Sequence, residues 1–409
     1  RYLSTAHNAQ PFDFMVGNLM LPLTDLRVLD LTTVIFGPYT TQMLGDFGAD
    51  VIKIEPPEGD LTRHLGPGRS PGMSSLYLGC NRNKRSVVLN LKREPAKRAL
   101  WRLIESADAI VHNVRPQKMA ALGFAPDPVM ARNPKIVYGG LHGYWEDGPY
   151  GGRPAFDDVI QGESGVAGTF MARGGEPELM PTIVADKTAA LLASTGLIAA
   201  LLQRFRTDKG VYLETSMFEG MVAYTLLEHQ HGTIFDPKVT DTGYPRALSP
   251  SRRPHTTSDG YICMLAYTDD QWQRFWSLVD KAELVTDPRF DSLSSRSNNI
   301  DALYSLAGEV LSTRSTQEWL DVLGDADIPA GPVNRLDDLR DDSHLKATGF
   351  FRSYEHPSEG RLEVLDTAFR LNRQALPVRQ HHPRLGEHSR QVLAEAGFSD
   401  SEMDEILAR

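Results

Sequence analysis

The chain has 409 residues, of which 41% are hydrophobic and 23% charged, and its formal net charge is −10. That length exceeds what one hydrophobic core usually organises, so two domains of an ordinary globular protein are expected. The negative charge argues against general binding to nucleic acid or to an anionic membrane surface, so an anionic ligand must meet a local basic cluster.

Residues 1–20 show no basic-then-apolar leader pattern and read as a tail or a remnant of expression, outside the fold. From there strands and helices alternate. Residues 27–32 (RVLDLT) read as a buried strand, 38–49 as a helix opening with Pro, and 50–55 (DVIKIE) as the next strand. Residues 85–91 are strand-like, 94–107 carry apolar positions at helical spacing, 109–113 form a short strand, and 135–144 a strand running into a glycine-rich turn. Such alternation predicts an α/β fold, a Rossmann-like large domain with a mainly parallel sheet covered by helices. Ligands of such sheets gather at the carboxyl ends of the strands, and NVRPQK (113–118) and HGYWEDGPYGGRP (142–154) fall there. The dinucleotide fingerprint G-x-G-x-x-G does not follow the first strand, which disfavours a nicotinamide or flavin enzyme.

Residues 181–205 (PTIVADKTAALLASTGLIAALLQRF) set Asp186 between an apolar run and a long apolar helix. Two readings stand together there. Asp is a favoured helix N-cap, and a carboxylate at a helix N-terminus is also held ionised by the macrodipole, which suits a nucleophile. The apolar run at 188–202 is shorter than the roughly 20 residues a membrane-spanning helix needs. A further strand and the start of a helix fill 211–220, after which composition shifts towards His, Pro, Thr and Arg. A hairpin strand at 259–267 and helices near 270–280 and 300–323 predict a smaller α+β domain. From residue 331 the chain reads as a return segment closing on an amphipathic helical tail. The expected division is 21–222 for the first part of the large domain, 223–330 for the small domain and 331–409 for the return. Cys80 and Cys263 lack the close spacing of a zinc or redox motif and read as core thiols in a reducing, cytoplasmic setting.

Several stretches together resemble the family III CoA-transferases, a group that includes formyl-CoA transferase, carnitine CoA-transferase and α-methylacyl-CoA racemase. They are LRVLDLTTVIFGPYTTQMLGDFGADVIKIEPPEGD, NRNKRSVVLNLK, GGRPAFDDVIQGESG, VADKTAALLASTGLIAAL, DGYI and RLGEHSRQVLAEAGF. Each alone is weakly diagnostic; the ordered set spans nearly the whole chain from residue 21. The resemblance implies a large domain formed by both ends of the chain, a small domain between them, and an interlocked homodimer. It implies that Asp186 is the nucleophile, with CoA thioesters and a carboxylic acid acceptor as substrates and no metal or tightly bound cofactor.

The resemblance also implies a CoA-binding set of Ile35, Phe36, Leu89, Asn90, Lys92, Asn113, Val114, Arg115, His142 and Tyr144. Lys84 and Arg85 lie near strand ends and read as further members of a basic patch, the other reading being solvated surface charge. Where relatives carry an Arg after the second strand this chain has Pro56, and Arg63 is a candidate replacement. Racemases of the group pair the aspartate with a histidine in a Gly-His-Asp stretch. Here the stretch is PAFDD: Phe156 holds the histidine position and cannot move a proton, and His142 is the nearest other His. Asp157, next to it, reads as a second site carboxylate or as a structural residue of the turn. Ile35 stands where formyl-CoA transferases have Gln, and residues 240–265 contain no tetraglycine flap, which counts against formate and oxalate. Arg252, Arg253 and His255 could hold the far carboxylate of a C4 or C5 diacid, or be solvated loop residues. A racemase and a non-catalytic acyl-CoA-binding protein remain as alternatives to a transferase.

Overall fold

A computed structural model describes residues 20–408, so the expected N-terminal tail lies outside the described residues apart from Met20. Six strands, β1 (Arg27–Leu31), β2 (Asp50–Glu55), β3 (Lys84–Val88), β4 (Ala109–His112), β5 (Val137–His142) and β6 (Val211–Ser216), form one parallel sheet in the order β3-β2-β1-β4-β5-β6. This is the doubly wound order, whose strand order reverses between β1 and β4 while all strands stay parallel. The inner strands β1, β4 and β5 read as near-continuous runs of apolar and small residues because both faces are covered, whereas the edge strands β3 and β6 carry Lys84, Arg85 and Glu214. On one face Leu29, Ile52, Val87, Ile110 and Tyr138 pack with Leu100 and Leu103 of the helix Glu94–Glu105. On the other, the helices Phe36–Asp46 and Val184–Thr207 pack against each other, the first over β1, β2 and β4 and the second over β5 and β6. The first of these begins at Phe36 rather than 38: Pro38 sits within the first turn, where its missing N–H has no helical partner to lose.

The described residues divide into two compact units, one of residues 20–163, 181–221 and 349–408, the other of residues 164–180 and 222–348. Within the second, β7 (His255–Thr256), β8 (Tyr261–Met264) and β9 (Ala330–Pro332) make a small antiparallel sheet, and Ile262, Trp272, Phe275, Trp276, Leu303 and Trp319 form its core. The return to the first unit falls at Gly349, later than the expected 331, because residues 330–332 are paired with β8. Residues 164–180 also join the second unit, where Arg173 donates to the carbonyl of Arg252. The single helix expected over 300–323 is two, Ile300–Leu311 and Thr316–Asp325, the second opened by a capping box of Ser315 and Glu318. The terminal tail is likewise two helices, Ser389–Glu395 and Asp400–Leu407, separated at Gly397 with φ +83°. Alternation along β8 buries Ile262 and exposes Cys263, so only Cys80 of the two cysteines is a core thiol.

Val392, Leu393, Met403 and Ile406 of the return segment complete the apolar layer over the helix Glu94–Glu105. Truncating one such side chain, as in Leu393→Ala, is expected to destabilise by about 2–5 kcal/mol. Arginines add directional ties. Arg82 binds Asp46 through two nitrogens and the carbonyl of Leu365; Arg85 binds Asp50 and Glu395; Arg379 binds the carbonyls of Gly45 and Ala49.

A charged network lies under the sheet's centre. Lys84 Nζ, fully buried, donates to Asp30 Oδ2 at 3.0 Å, to the Pro38 carbonyl and to Asn81 Oδ1, which uses all three of its protons. Lys53 Nζ, also fully buried, donates to Asp60 Oδ2 at 2.9 Å and to the Thr32 carbonyl. Arg63 donates to both oxygens of Glu55, at 2.8 and 2.7 Å, and to Tyr77 Oη, with side-chain exposure of 1%. Lys84, Arg85 and Arg63 are therefore internal ties, and the sequence reading of them as phosphate ligands is corrected: each already faces a carboxylate.

Candidate active site

A cavity of about 230 Å³ opens at the carboxyl ends of β1, β4, β5 and β6. Thr33, Val34 and Phe36 come to it from the turn after β1, Asn113 and Arg115 from the turn after β4, and His142 and Tyr144 from β5. Met217 follows β6, Phe156 closes another side, and Asp186 reaches in from the helix Val184–Thr207. Parallel strands deliver all of these ends to one edge of the sheet, which is why segments far apart in sequence share one wall.

The turn after β1 is held by side chains where a dinucleotide fold would use glycine. Asn113 accepts the Thr33 N–H at 2.9 Å and donates to the Thr33 carbonyl at 2.8 Å, while Asp60 Oδ1 accepts the Val34 N–H at 3.1 Å. Val34 has φ +70°, a left-handed conformation unfavourable for a β-branched residue. Such strain, of order 1–3 kcal/mol, persists where the surroundings over-determine it. Here Asp60 joins the turn to the buried network through Lys53.

Asp186 is buried, with 9% of its surface exposed. Its helix begins at Val184, two residues before it, and Ile183 at the N-cap makes no side-chain hydrogen bond. Asp186 is therefore the third helical residue, not the cap that the sequence suggested. The capping acceptor is Asp157, whose Oδ1 takes the backbone N–H groups of Ala185 at 2.8 Å and of Asp186 at 3.0 Å. Burial, followed by the charges of Asp157 and Asp158, pushes the Asp186 carboxyl up from 3.8 to about 7. At 1.36 kcal/mol per pH unit that rise is roughly 4 kcal/mol, against about 0.3–1 kcal/mol for the helix dipole. The expectation that the dipole keeps Asp186 fully ionised is thus corrected: the group titrates near neutrality. A carboxylate so poorly solvated is ready to attack an electrophile, since little hydration must be stripped from it.

His142 folds back over Gly140, where a Cβ would lie 2.5 Å from its Nε2. Burial lowers its pKa to about 4, so the ring is neutral at neutral pH. Its Nε2 is 2.8 Å from Glu146 Oε1 without making a hydrogen bond, and Glu214 lies close by. Among the described residues these three form the one His and carboxylate group compact enough to share a cation. Their oxygens already accept protein donors, Glu214 from the Glu146 N–H and Glu146 from Tyr212 Oη. Tyr144 is buried and donates to Glu163 Oε2 at 2.6 Å; Arg153 meets Glu163 Oε1 at 3.2 Å and lies over the Tyr144 and Tyr150 rings.

Of the residues singled out from the sequence, Phe36, Asn113, Arg115, His142, Tyr144, Phe156 and Asp186 line this cavity. Ile35 is buried beside it at the start of its helix, and Leu89 is a core residue. Val114 packs on the same core and accepts from His112 Nδ1. Asn90 caps its own turn by accepting the Lys92 N–H, and Lys92 is exposed. Asp157 spends both oxygens within the protein, Oδ2 accepting from Gln161 Nε2 at 2.6 Å, so its reading as a substrate contact is corrected to a structural one. Arg252 and Arg253 are exposed and His255 buried, all three in the second unit. The sequence reading passed over Val34, Arg153 and Glu163. Arg153 stood in the quoted GGRPAFDD, but nothing local marks it as facing a cavity.

A family model described as CoA-transferase family III matches residues 23–389. The chain is 29% identical over 390 residues to succinyl-CoA:glutarate CoA-transferase of Mus musculus, covering 95% of this chain and 89% of that one. It is 30% identical over 409 residues to formyl-CoA:oxalate CoA-transferase of Rhodopseudomonas palustris, covering 94% and 96%. Among solved structures, a mutant of Rv3272 from Mycobacterium tuberculosis superposes with a TM-score of 0.80 at 29% identity, covering 91% of this chain and 99% of that one.

Proposed function

The chain belongs to CoA-transferase family III, and from that premise we propose that it transfers CoA from an acyl-CoA donor to a carboxylic acid through covalent intermediates on Asp186. The Asp186 carboxylate attacks the thioester carbonyl, the C–S bond breaks, and an acyl-aspartyl anhydride forms with release of the CoA thiolate. The thiolate attacks the aspartyl carbonyl, expelling the donor acid and leaving an aspartyl-CoA thioester. The acceptor carboxylate attacks that thioester, forming a second anhydride and freeing the thiolate again. Attack of the thiolate on the acceptor's acyl carbon gives the new thioester and restores Asp186. Every step exchanges one leaving group for one nucleophile, so no redox or metal chemistry is called upon.

The observation that carries this reading is Asp186 itself: a buried carboxylate in the cavity at the sheet's switch point, titrating near 7. Asn113 and Arg115 sit where the turn after β4 could receive the CoA chain, and Arg115 and Lys92 are the exposed cations of the CoA-binding set implied by the resemblance. A C4 or C5 diacid as acyl or acceptor group is favoured by the relative named for succinyl-CoA and glutarate. Ile35 and the missing flap argue against oxalate, though a relative named for oxalate keeps that acid in the test panel. A 2-methylacyl-CoA racemase is the second reading, because neutral His142 shares the cavity with Asp186; Phe156, also on the wall, supplies no proton. Self-association as a homodimer in the cytoplasm is also proposed, supported by the exposed Leu191, Leu192, Leu202 and Phe205 of one helix.

The test is intact-mass spectrometry after incubation with a panel of acyl-CoA thioesters, succinyl-CoA included, followed by peptide mapping. An adduct on Asp186 is expected. Absence of any adduct, together with deuterium uptake at the α-carbon of a branched acyl-CoA, would move the protein to the racemase reading.

A further inference from the structure

We propose that Asp157 is the positioning residue for Asp186: its carboxylate anchors the first turn of the Val184–Thr207 helix and sets a fixed negative charge against the nucleophile. The geometry is that of a cap supplied from a distance. Helix Val184–Thr207 has no side-chain cap of its own, and its first two buried N–H groups, those of Ala185 and Asp186, both point at Asp157 Oδ1. Asp157 is 5% exposed, and Gln161 Nε2, which also reaches the Thr182 carbonyl at 3.2 Å, fixes its other oxygen. One carboxylate thus ties the backbone of the residue that carries the chemistry to the helix Asp157–Glu163.

The same contact has an electrostatic side. The charges that bear on Asp186 are Asp157 and then Asp158. Other titratable groups on the elements around it are Glu163 on the helix Asp157–Glu163, His142 on β5 and Lys187 on its own helix, whose Nζ is turned to Thr182 Oγ1. Tyr39 of the helix Phe36–Asp46 and Glu214 of β6 belong to the neighbouring elements, and the arginines of the cavity are Arg115 and Arg153. A neutral cap such as Ser or Asn would hold the backbone equally well. An anion there does something more: it opposes ionisation of Asp186 while leaving its position fixed, so the nucleophile is presented as a weakly stabilised anion.

The proposal rests on Asp186 being the nucleophile, so the first readout is independent of turnover. In full-length protein labelled with carboxyl carbon-13 aspartate, the Asp186 resonance, assigned by Asp186→Asn, is titrated in wild type, Asp157→Asn and Asp158→Asn. Asp157→Asn keeps an oxygen for the two N–H groups and removes the charge. Its Asp186 midpoint is expected to fall by about one pH unit. The acidic limb of the CoA-exchange rate should move down with it, with the plateau rate within a few-fold of wild type. Asp157→Ala removes cap and charge together, and its plateau rate is expected to drop roughly tenfold further. Asp158→Asn, exposed and free of capping bonds, should move the midpoint less. An Asp186 midpoint unchanged in Asp157→Asn overturns the proposal whether or not the exchange reaction is found. If Asp157→Asn does not fold, Asp157→Ser, which also keeps a neutral capping oxygen, takes its place, and an unmoved Asp186 midpoint in that variant overturns the electrostatic half by itself. Equal loss of rate in the Asn and Ala variants without movement of the acidic limb reduces Asp157 to a fold element and overturns it as well.

Discussion

Two groups of buried carboxylates lie in the first unit, and they behave in opposite ways. Asp30, Glu55 and Asp60 are enclosed in the network under β1 to β3. Burial alone would raise all three, but Lys84 and Lys53 pull Asp30 down to about 2, Arg63 lowers Glu55, and Lys53 lowers Asp60. Asp186, in the first turn of its helix, meets carboxylates instead of cations and rises to about 7. Depth does not separate the two cases; the sign of the nearest charge does. The network locks the turn after β1, and the lone carboxylate is left reactive.

The largest way to break this comparison is to remove the reactive member. Asp186→Ala is expected to lower CoA exchange by at least about 1,000-fold while CoA binding, read by calorimetry, survives. Next in size is Lys84→Met, which strands Asp30 as an unpaired buried charge; a loss of about 3–5 kcal/mol in denaturant unfolding is expected. A loss below about 1 kcal/mol would mean that Lys84 is not the charge that keeps Asp30 ionised.

The two groups should also respond to pH with opposite signs. Asp186 ionises near 3.8 when unfolded and near 7 when folded, so its ionised form opposes folding increasingly from pH 3.8 to 7. Asp186→Asn is therefore expected to stabilise the protein more at pH 8 than at pH 5, by thermal melting. Asp30, with its folded value near 2, contributes stability that is present above its unfolded value and lost as pH falls through 2. The exchange rate should fall about tenfold per pH unit below 7, if protonation of Asp186 silences it. The smallest effect separates free cations from tied ones: Arg115→Ala is expected to raise KM for acyl-CoA by about 3–10-fold with kcat little changed. A lowered kcat with KM unchanged would place Arg115 at the reacting atoms instead.

The inner strands β1, β4 and β5 were legible because strands buried on both faces read as runs of apolar and small residues, and Asp186 because an acid in front of an apolar helix stands out. The helix start was not legible. Its cap lies 28 residues upstream of Ala185, in Asp157, and no local pattern records a bond made only by folding. Lys84, Arg85 and Arg63 misled for a related reason: a basic residue reads as solvated until its carboxylate is found across the sheet. Two breaks were available and missed. The boxes Ser315 to Glu318 and Ser399 to Glu402 each announce a new helix, splitting what hydrophobic periodicity alone joins.

The interruption of the first unit by residues 222–348 also bears on how the protein is made. Arg85 is synthesised 310 residues before Glu395, and the apolar layer of the helix Glu94–Glu105 waits as long for Leu393 and Ile406. At roughly 5–20 residues per second, a ribosome needs about 15–60 s to supply them. During that interval the intervening unit can complete its own core while the half-built sheet stays open to chaperones, so slowed translation of the last 60 or so residues should lower soluble yield more than slowing elsewhere.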